Sequence, residues 1–218
     1  MRGGERRIPE ATVHRLPRYL QVLLEASDAG QDTISSEQLA QGAGLTSAAV
    51  RKDVSYLGTH GTRGVGYAVS ELASDISAVL GLTRERNVVI VGVGNRGRAL
   101  ASYDGFQRRG LRIVALLDAS REVVGDHVGD HVVEDVATLP QLVAERDVQL
   151  AVLATPAQHT ATAAATVIAA GVRALLNFAP VHLDVPETVT VRTVDLSTEL
   201  QILSFYEQLD APAPRQVG

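Results

Sequence analysis

Hydrophobic residues in the first eighty positions recur with the spacing of helices. Val13, Leu16 and Leu20 would lie on one face of a helix that begins near residue 9. Pro17 falls inside this run and predicts a kink or a break. A second periodic segment over 69–80 predicts another helix. The pattern therefore predicts a helical N-terminal region.

Between these segments, two shorter helices joined by a glycine-containing turn are predicted. Ser35 and Gln38 form a capping-box pattern for the first helix, and Thr46 can cap the second. The four glycines of 58–67, with Thr, Val and Tyr between them, suggest a small β-hairpin. This order of elements predicts a winged helix-turn-helix, whose second helix would read the DNA major groove. Arg63 on the hairpin would reach the phosphates or the minor groove.

The charge of this region does not by itself indicate a nucleic-acid partner. Residues 1–83 hold eight Arg or Lys and nine Asp or Glu, a net charge of −1. The alternative is a three-helix packing domain with a glycine-rich loop. Arg51, Lys52 and Arg63 nevertheless fall in the predicted reading helix and hairpin, whereas most acidic residues lie elsewhere. This distribution favours DNA binding.

The hydrophobic pattern changes at residue 88. Val88–Val91 is an unbroken β-branched run, typical of a strand buried on both faces. Gly92, Gly94 and Gly97 then form a G-x-G-x-x-G motif that opens a helix-competent segment. Such a turn allows backbone N–H groups and a helix N-terminus to bind the pyrophosphate of a dinucleotide.

An acidic residue follows at the spacing that dinucleotide-binding domains use. Asp118 ends the next predicted strand, 21 residues beyond Gly97. A carboxylate there can accept a hydrogen bond from a ribose hydroxyl and favours NAD over NADP. The alternative is a glycine-containing turn that binds nothing. The two features together favour an NAD site.

Strands and helices continue to alternate up to residue 194, which predicts a doubly wound parallel sheet and an α/β fold. The last predicted helix, 196–209, is apolar on more than one face. It could pack on its own sheet or on a second subunit. Because palindromic DNA is read by two-fold dimers, we favour the second subunit.

Composition narrows the candidate functions. The 218 residues carry a net charge of −5 and no cysteine, and neither a signal peptide nor a membrane span is apparent, so we expect a cytoplasmic protein. His159 is the one histidine placed where a dehydrogenase needs an acid or base, and a solvated helix-start residue is the more ordinary interpretation. His127 and His131 lack a helical context, so no metal site is expected. We predict that the protein is not an enzyme.

Several motifs resemble the Rex family of bacterial redox-sensing transcriptional repressors. These motifs are Arg51–Lys52–Asp53 with Ser55–Gly58, Gly61–Tyr67, Gly92–Gly97, Tyr103–Phe106, Asn177–Pro180 and Val194–Leu196. The resemblance extends from residue 8 to about residue 209. It implies a homodimer with an N-terminal winged helix, an NAD(H)-binding Rossmann domain and a terminal helix swapped between subunits. It also implies that NAD+ permits binding to palindromic operator DNA and that NADH releases it.

The resemblance and the motifs together define two sets of candidate residues. The expected cofactor-binding residues are Gly92, Gly94, Asn95, Arg96, Gly97, Tyr103, Asp118, Thr155, Pro156, Asn177, Phe178, Ala179 and Asp195. The expected DNA-binding residues are Arg15, Ser47, Arg51, Lys52, Ser55, Tyr56, His60, Thr62 and Arg63. The resemblance implies that Tyr103 and Asp195 rearrange near the nicotinamide during the switch.

The sequence departs from the family pattern at Gln21, where relatives usually carry an arginine that pairs with the carboxylate matching Asp195. A neutral amide can hydrogen-bond Asp195 but cannot form that charged pair, which weakens one arm of the switch. The alternative is that Arg18, one turn earlier, takes the place of the missing arginine. Val54 and His60 also replace aromatic residues common in the family.

The predicted domains are 8–83 for the winged helix, 84–194 for the Rossmann domain and 195–210 for a dimerisation helix. A small NAD-dependent dehydrogenase or a CoA-type ligand binder with an accessory helical domain is the alternative.

Overall fold

The computed structural model describes residues 8–58, 61, 62 and 64–210. The chain divides into two compact units between Arg84 and Glu85. No helix within the described ranges combines the length and the apolar character that crossing a bilayer requires.

The N-terminal unit consists of four helices and a two-stranded ladder. Its elements are α1 (Glu10–Asp28), β1 (Thr33–Ile34), α2 (Ser36–Ala43), α3 (Ser47–Tyr56), β2 (Tyr67–Ala68) and α4 (Val69–Val79). Helix α1 runs through Pro17 as one helix, so the chain is not broken there. Its inner face packs Leu16 and Leu23 against Leu39 of α2 and Leu72 of α4 in one buried cluster. This packing compensates for the one helical hydrogen bond that the proline cannot donate.

The predicted caps of the two middle helices are confirmed. The Ser35 hydroxyl accepts from the Gln38 backbone N–H while the Gln38 side chain accepts from the Ser35 N–H. Thr46 caps α3 through the Ala49 N–H. Strands β1 and β2 pair antiparallel, and a further antiparallel bridge joins Thr62 to Gly66. The chain therefore turns back in the 62–66 segment, where the hairpin was predicted.

The second unit is built on a seven-stranded sheet. Its strands are β3 (Arg86–Val91), β4 (Leu111–Asp118), β5 (His127–Val128), β6 (His131–Asp135), β7 (Val148–Leu153), β8 (Ala174–Asn177) and β9 (Thr190–Thr193). They lie in the order β5-β6-β4-β3-β7-β8-β9, and every pair except β5-β6 is parallel. The six parallel strands reproduce the order of a doubly wound dinucleotide-binding sheet.

The sequence did not predict strand β5. It forms a tight hairpin with β6 through Gly129 and Asp130, and Gly129 adopts the left-handed conformation that such turns need. Two-residue strands carry too little pattern to be recognised from alternation alone.

Helices cover the two faces of the sheet unequally. Helices α6 (Leu139–Glu145) and α7 (Ala157–Ala169) pack on one face around Val89, Leu117 and Leu153. Helix α5 (Asn95–Ala101) lies on the other face, where Leu100 and Ala101 contact the buried cluster that includes Val88, Ile90 and Leu116. The last helix, α8 (Leu196–Asp210), is exposed from 196 to 208.

Candidate functional site

Two glycines of the β3–α5 turn are required by close contacts. Gly92 has φ +96°, and a Cβ atom there would lie 2.7 Å from the Thr155 backbone nitrogen. A Cβ atom on Gly97 would overlap the Gly92 carbonyl oxygen. Gly94 differs, because nothing lies within 4 Å of its Cβ position. Gly92 and Gly97 thus allow the turn to form, whereas Gly94 leaves open space in front of it.

This open space is part of a cleft of about 770 Å³ at the carboxyl ends of the parallel strands. That volume is within the usual range for small-molecule and cofactor sites. The predicted residues that line the cleft are Gly92, Gly94, Asn95, Arg96, Asp118, Thr155 and Pro156. The structure therefore brings the glycine turn, the acidic residue and the end of β7 together around one cavity.

Asp118 is held in a fixed orientation at one side of this cleft. Its Oδ2 atom accepts a hydrogen bond of 2.7 Å from the Val93 N–H, and its Oδ1 atom accepts one of 2.9 Å from the Ser120 N–H. Each carboxylate oxygen can accept a second hydrogen bond. The arrangement positions a preorganised acceptor for the hydroxyl groups of a ribose.

Arg96 links the glycine turn to the segment that follows β8. Its Nη1 atom donates to the Phe178 carbonyl oxygen at 2.9 Å. Asn177, which is completely buried, shapes that segment, because its amide donates to Ala179 and Val181 and accepts from the Ala179 N–H. The Asn177 side chain thus determines where Phe178 and Ala179 lie, and its amide is used within the protein.

Other predicted cofactor residues lie outside the lining of the cleft. Tyr103 borders a separate cavity of about 310 Å³ with Phe106 and His131. Asp195 stands at the start of α8, where its carboxylate accepts from the Ser197 N–H and the Thr198 hydroxyl. These hydrogen bonds, led by that of the Ser197 N–H, lower the pKa of Asp195.

The cleft is also lined by residues outside the predicted cofactor-binding set. His159, Thr162 and Thr166 line it from one face of α7, and Ser120 and Val136 line it from other elements. The three positions on α7 recur at intervals of three and four, which places them on one side of a helix. This spacing could have identified the three residues as one face of a helix. The many alanines between them instead suggested a helix that only packs against the sheet.

Gly105 gives Tyr103 its position. A Cβ atom at residue 105 would overlap the Tyr103 ring, which stands edge-on to Phe106 with 5.2 Å between ring centroids. Tyr103 is half exposed, so its ring can move into solvent at low cost.

We therefore expect Gly105→Ala to displace the Tyr103 ring while changing the free energy of unfolding by less than about 1 kcal/mol. Proton NMR shifts of the Tyr103 and Phe106 rings report the displacement directly. Tyr103→Phe is the matched control, because it removes the hydroxyl and keeps the ring in place. Unchanged ring shifts in Gly105→Ala would contradict the expectation.

In the N-terminal unit, α3 presents a mixed polar face to solvent. Val50, Asp53 and Val54 are buried, whereas Arg51, Lys52 and Ser55 are exposed. Ser47 and Tyr56 are partly buried at the ends of the helix. The inward and outward positions alternate as expected for a helix packed on one side, so the predicted DNA-reading residues of α3 share its outer side.

Arg51 is engaged within the protein by the start of α2. Its Nη1 atom lies 3.3 Å from Glu37 Oε1 and 3.1 Å from the Ser36 hydroxyl. Because exposed pairs of this kind contribute only about 0–1 kcal/mol, Arg51 can exchange Glu37 for a phosphate or a base. Thr62, on the bridged turn, is exposed, while His60 and Arg63 lie outside the described residues.

Arg15 lies next to a buried carboxylate of α3. Its Nε and Nη2 atoms donate to Asp53 at 2.6 and 2.8 Å. The Thr12 and Tyr19 hydroxyl groups also donate to Asp53, each at 2.8 Å. Burial alone would raise the pKa of Asp53, but hydrogen bonds from Arg15, Thr12 and Tyr19 outweigh it and lower the pKa. Burial and the bond to Asp53 raise the pKa of Tyr19, so its hydroxyl stays a donor.

This lowered pKa predicts a loss of stability in acid. An ionised Asp53 stabilises the fold at pH values above about 3.9, the ordinary Asp pKa, and this stabilisation is lost as the pH falls through the lowered value. We expect Asp53→Asn to reduce the free energy of unfolding at pH 7 by more than it does near pH 3. Urea unfolding at both pH values tests this, and an equal reduction at both would contradict it.

The described part of the chain contains no cluster of side chains that could bind a metal ion. No group of three or more His, Asp or Glu side chains comes together there. His131 borders the cavity beside Tyr103, and His127 and His131 lie on the β5–β6 hairpin.

Each of the two units matches a known family model. A family model described as "Putative DNA-binding protein N-terminus" matches residues 7–55, and one described as "CoA binding domain" matches residues 83–181. The redox-sensing transcriptional repressor Rex of Streptomyces coelicolor is 52% identical over 94% of this chain and 80% of its own length. The Rex repressor of Carboxydothermus hydrogenoformans is 43% identical over 91% of this chain and 96% of its own length.

Solved structures agree with the sequence relatives. The crystal structure of RSP, a Rex-family repressor, matches with a TM-score of 0.84 and 31% identity over 93% of this chain and 95% of that one. RSP in complex with β-NAD+ and operator DNA matches with a TM-score of 0.84 and 30% identity, over 95% and 99% of the two chains. RSP in complex with β-NADH gives 0.83 and 30%, over 94% and 96%. The chain therefore belongs to the Rex family of redox-sensing transcriptional repressors.

Proposed function

We propose that this protein represses transcription by binding palindromic operator DNA and that NADH weakens this binding while NAD+ permits it. The observation that most supports this proposal is that one chain contains both kinds of site. One unit has a cleft suited to a dinucleotide, with Asp118 fixed at its edge, and the other has helix α3, which exposes Arg51 and Lys52. The relatives named as redox-sensing repressors, and the RSP complexes with β-NAD+, operator DNA and β-NADH, support the same function.

The cleft favours NAD(H) as the ligand. Asp118 can accept from ribose hydroxyl groups, whereas the 2′-phosphate of NADP would face a carboxylate. The match to a CoA-binding model covers only the Rossmann part, while the Rex relatives match nearly the whole chain. In our proposal the residues around the glycine turn hold the pyrophosphate, and Tyr103, Phe178, Ala179 and Asp195 respond to the nicotinamide.

We propose that the dinucleotide bound in the cleft regulates DNA binding and is not used in a catalysed reaction. The relatives are named as transcriptional repressors, which indicates a regulator rather than an enzyme. His159, the candidate acid or base of the dehydrogenase alternative, lines the same cleft as Asp118. In a regulator its imidazole has only to contact the dinucleotide.

For the DNA partner we propose three contributions from the winged helix of 8–83. Lys52, Ser55 and Arg51 on the exposed face of α3 would enter the major groove. Thr62, His60 and Arg63 on the hairpin would contact the backbone or minor groove. In this proposal Arg15, Ser47 and Tyr56 contact phosphates and position α3 on the DNA.

A homodimer would give the protein the symmetry of a palindrome. Helix α8 exposes large apolar side chains along its length, including Leu200, Leu203 and Phe205. The same unit carries an almost wholly apolar groove of about 190 Å³, lined by Val88, Leu150 and Leu176 among others. We propose that 195–210 of each protomer packs on the Rossmann unit, 84–194, of its partner.

The switch then follows from linkage. NADH and NAD+ would have different affinities for the two dimer geometries, so the reduced form would favour the geometry that cannot span both DNA half-sites. The Gln21 amide donates to Glu25 on its own helix at 3.1 Å, and it carries no charge with which to attract Asp195. We expect NADH to change operator affinity less in this protein than in relatives with arginine at that position.

A displacement experiment tests the function. NADH added to the complex of the protein with NAD+ and a palindromic operator should release the DNA, and the NADH should remain unoxidised. In Asp118→Arg, release should need much more NADH, because the ribose acceptor is replaced by a cation. Consumption of NADH with a carbonyl substrate and no effect on DNA would favour the dehydrogenase alternative.

A further inference from the structure

A buried carboxylate in the N-terminal unit joins α1 to the helix proposed to read DNA. Asp53 of α3 is completely buried, and each of its two oxygens accepts two hydrogen bonds. We call Thr12, Arg15, Tyr19 and Asp53 the carboxylate quartet. Its three donors lie at positions i, i+3 and i+7 of α1, which places them on one side of that helix.

The neighbours of the quartet are apolar and do not require it for packing. Leu16 of α1 and Val50 and Val54 of α3 belong to the same buried cluster. Buried ion pairs are costly to desolvate, and apolar side chains of similar volume often give equal or greater stability. The presence of a fully bonded carboxylate therefore suggests a role in addition to stability.

Directional bonds fix the rotation of a helix more sharply than apolar contacts do. Side-chain ends lie about 5–6 Å from a helix axis, so turning α3 by about 20° would move them by about 2 Å. Such a shift would break the hydrogen bonds of 2.6–2.8 Å to Asp53, whereas Val50 and Val54 could slide in their contacts. The same turn would displace Lys52, the neighbour of Asp53, by at least as much at its tip.

We propose that Asp53 is a positioning residue for sequence recognition, and that the carboxylate quartet sets the rotation of α3 so that Arg51, Lys52 and Ser55 meet base edges. The inference rests on the proposed function and adds to it a determinant of specificity that does not touch DNA. Base contacts depend on this rotation, whereas phosphate contacts tolerate small shifts, because sequence is read at base edges and not along the backbone.

The test replaces the quartet with apolar residues in the full-length protein. The variant carries Thr12→Val, Arg15→Met, Tyr19→Phe and Asp53→Leu, and it should unfold at a denaturant concentration similar to that of wild type. The readout is the ratio of the affinity for a palindromic operator to that for a scrambled duplex. We expect this ratio to fall at least tenfold, with the affinity for NADH unchanged.

The affinity ratio separates positioning from loss of charge. Any phosphate contact of Arg15 contributes to both duplexes, so its loss cancels in the ratio. Arg18→Met is the matched control, because it removes one exposed positive charge from α1 and leaves the quartet intact. The control should lower both affinities similarly and keep the ratio.

Asp53→Asn provides a second route if the apolar variant does not fold. It keeps the shape of the side chain but faces Arg15 with a neutral group, and it should also lower the ratio. A folded variant of either kind with the wild-type ratio would overturn the inference and leave the quartet a stabilising cluster. A wild-type protein that itself fails to distinguish operator from scrambled DNA would instead refute the proposed function.

Discussion

Gly97→Ala is expected to abolish NADH binding and to destabilise the Rossmann unit by about 1–3 kcal/mol or more. The added methyl group would overlap the Gly92 carbonyl oxygen. Because the overlapping atoms belong to the backbone, no side-chain rotation can relieve the overlap. The β3–α5 turn would have to open, and the cleft that it borders would lose its shape. Urea unfolding and NADH fluorescence titration measure the two effects.

Gly94→Ala is the matched control for this prediction. Nothing lies within 4 Å of the Cβ position at residue 94, so the unliganded fold should change by less than about 0.5 kcal/mol. NADH affinity should still fall by about tenfold, roughly 1.4 kcal/mol, because the methyl group would occupy space meant for the pyrophosphate. Equal stability losses in the two variants would contradict this division of roles.

Charged substitutions on α8 should produce the second large effect. Leu200 and Leu203 are 64% and 61% exposed, which is unfavourable unless a partner covers them. We expect the double variant Leu200→Glu and Leu203→Glu to sediment as a monomer and to bind a palindromic operator roughly a hundredfold more weakly, because two linked half-sites gain affinity from each other.

The control for α8 lies on the same helix. Glu199→Gln changes an exposed polar residue, so it should remain dimeric and bind operator like the wild type. If the double variant Leu200→Glu and Leu203→Glu stays dimeric, α8 is not part of the dimer interface. If the wild-type protein sediments as a monomer, the proposal that it binds operator DNA as a homodimer is wrong.

The fold was predictable from the sequence wherever the pattern is local. The run Val88–Val91, the glycine turn and Asp118 all lie in one strand–turn–helix–strand segment, so their spacing alone predicted a dinucleotide fold. The capping box at Ser35 was equally clear, because Gln38 lies three residues away. Pro17 misled in one respect, because the packing of α1 keeps the helix in one piece.

Features built from distant residues could not be predicted. Asp53 lies 34 to 41 residues along the chain from its three donors on α1, and no spacing rule joins Thr12 to Asp53. His159 is exposed near the start of α7, as the more ordinary interpretation of the sequence predicted. Its place on the cleft beside Asp118 and Ser120 could not be predicted, because those residues come from the other half of the sheet. Tertiary contacts decide such roles, and periodicity cannot report them.

The central claim is that nucleotide and operator binding are coupled, and equilibrium titration tests it most directly. The affinity of the full-length protein for one palindromic operator should be measured without nucleotide, with saturating NAD+ and with saturating NADH. Affinity should be lowest with NADH, and by linkage the operator should weaken NADH binding by the same factor. Equal operator affinity in all three conditions would contradict the account.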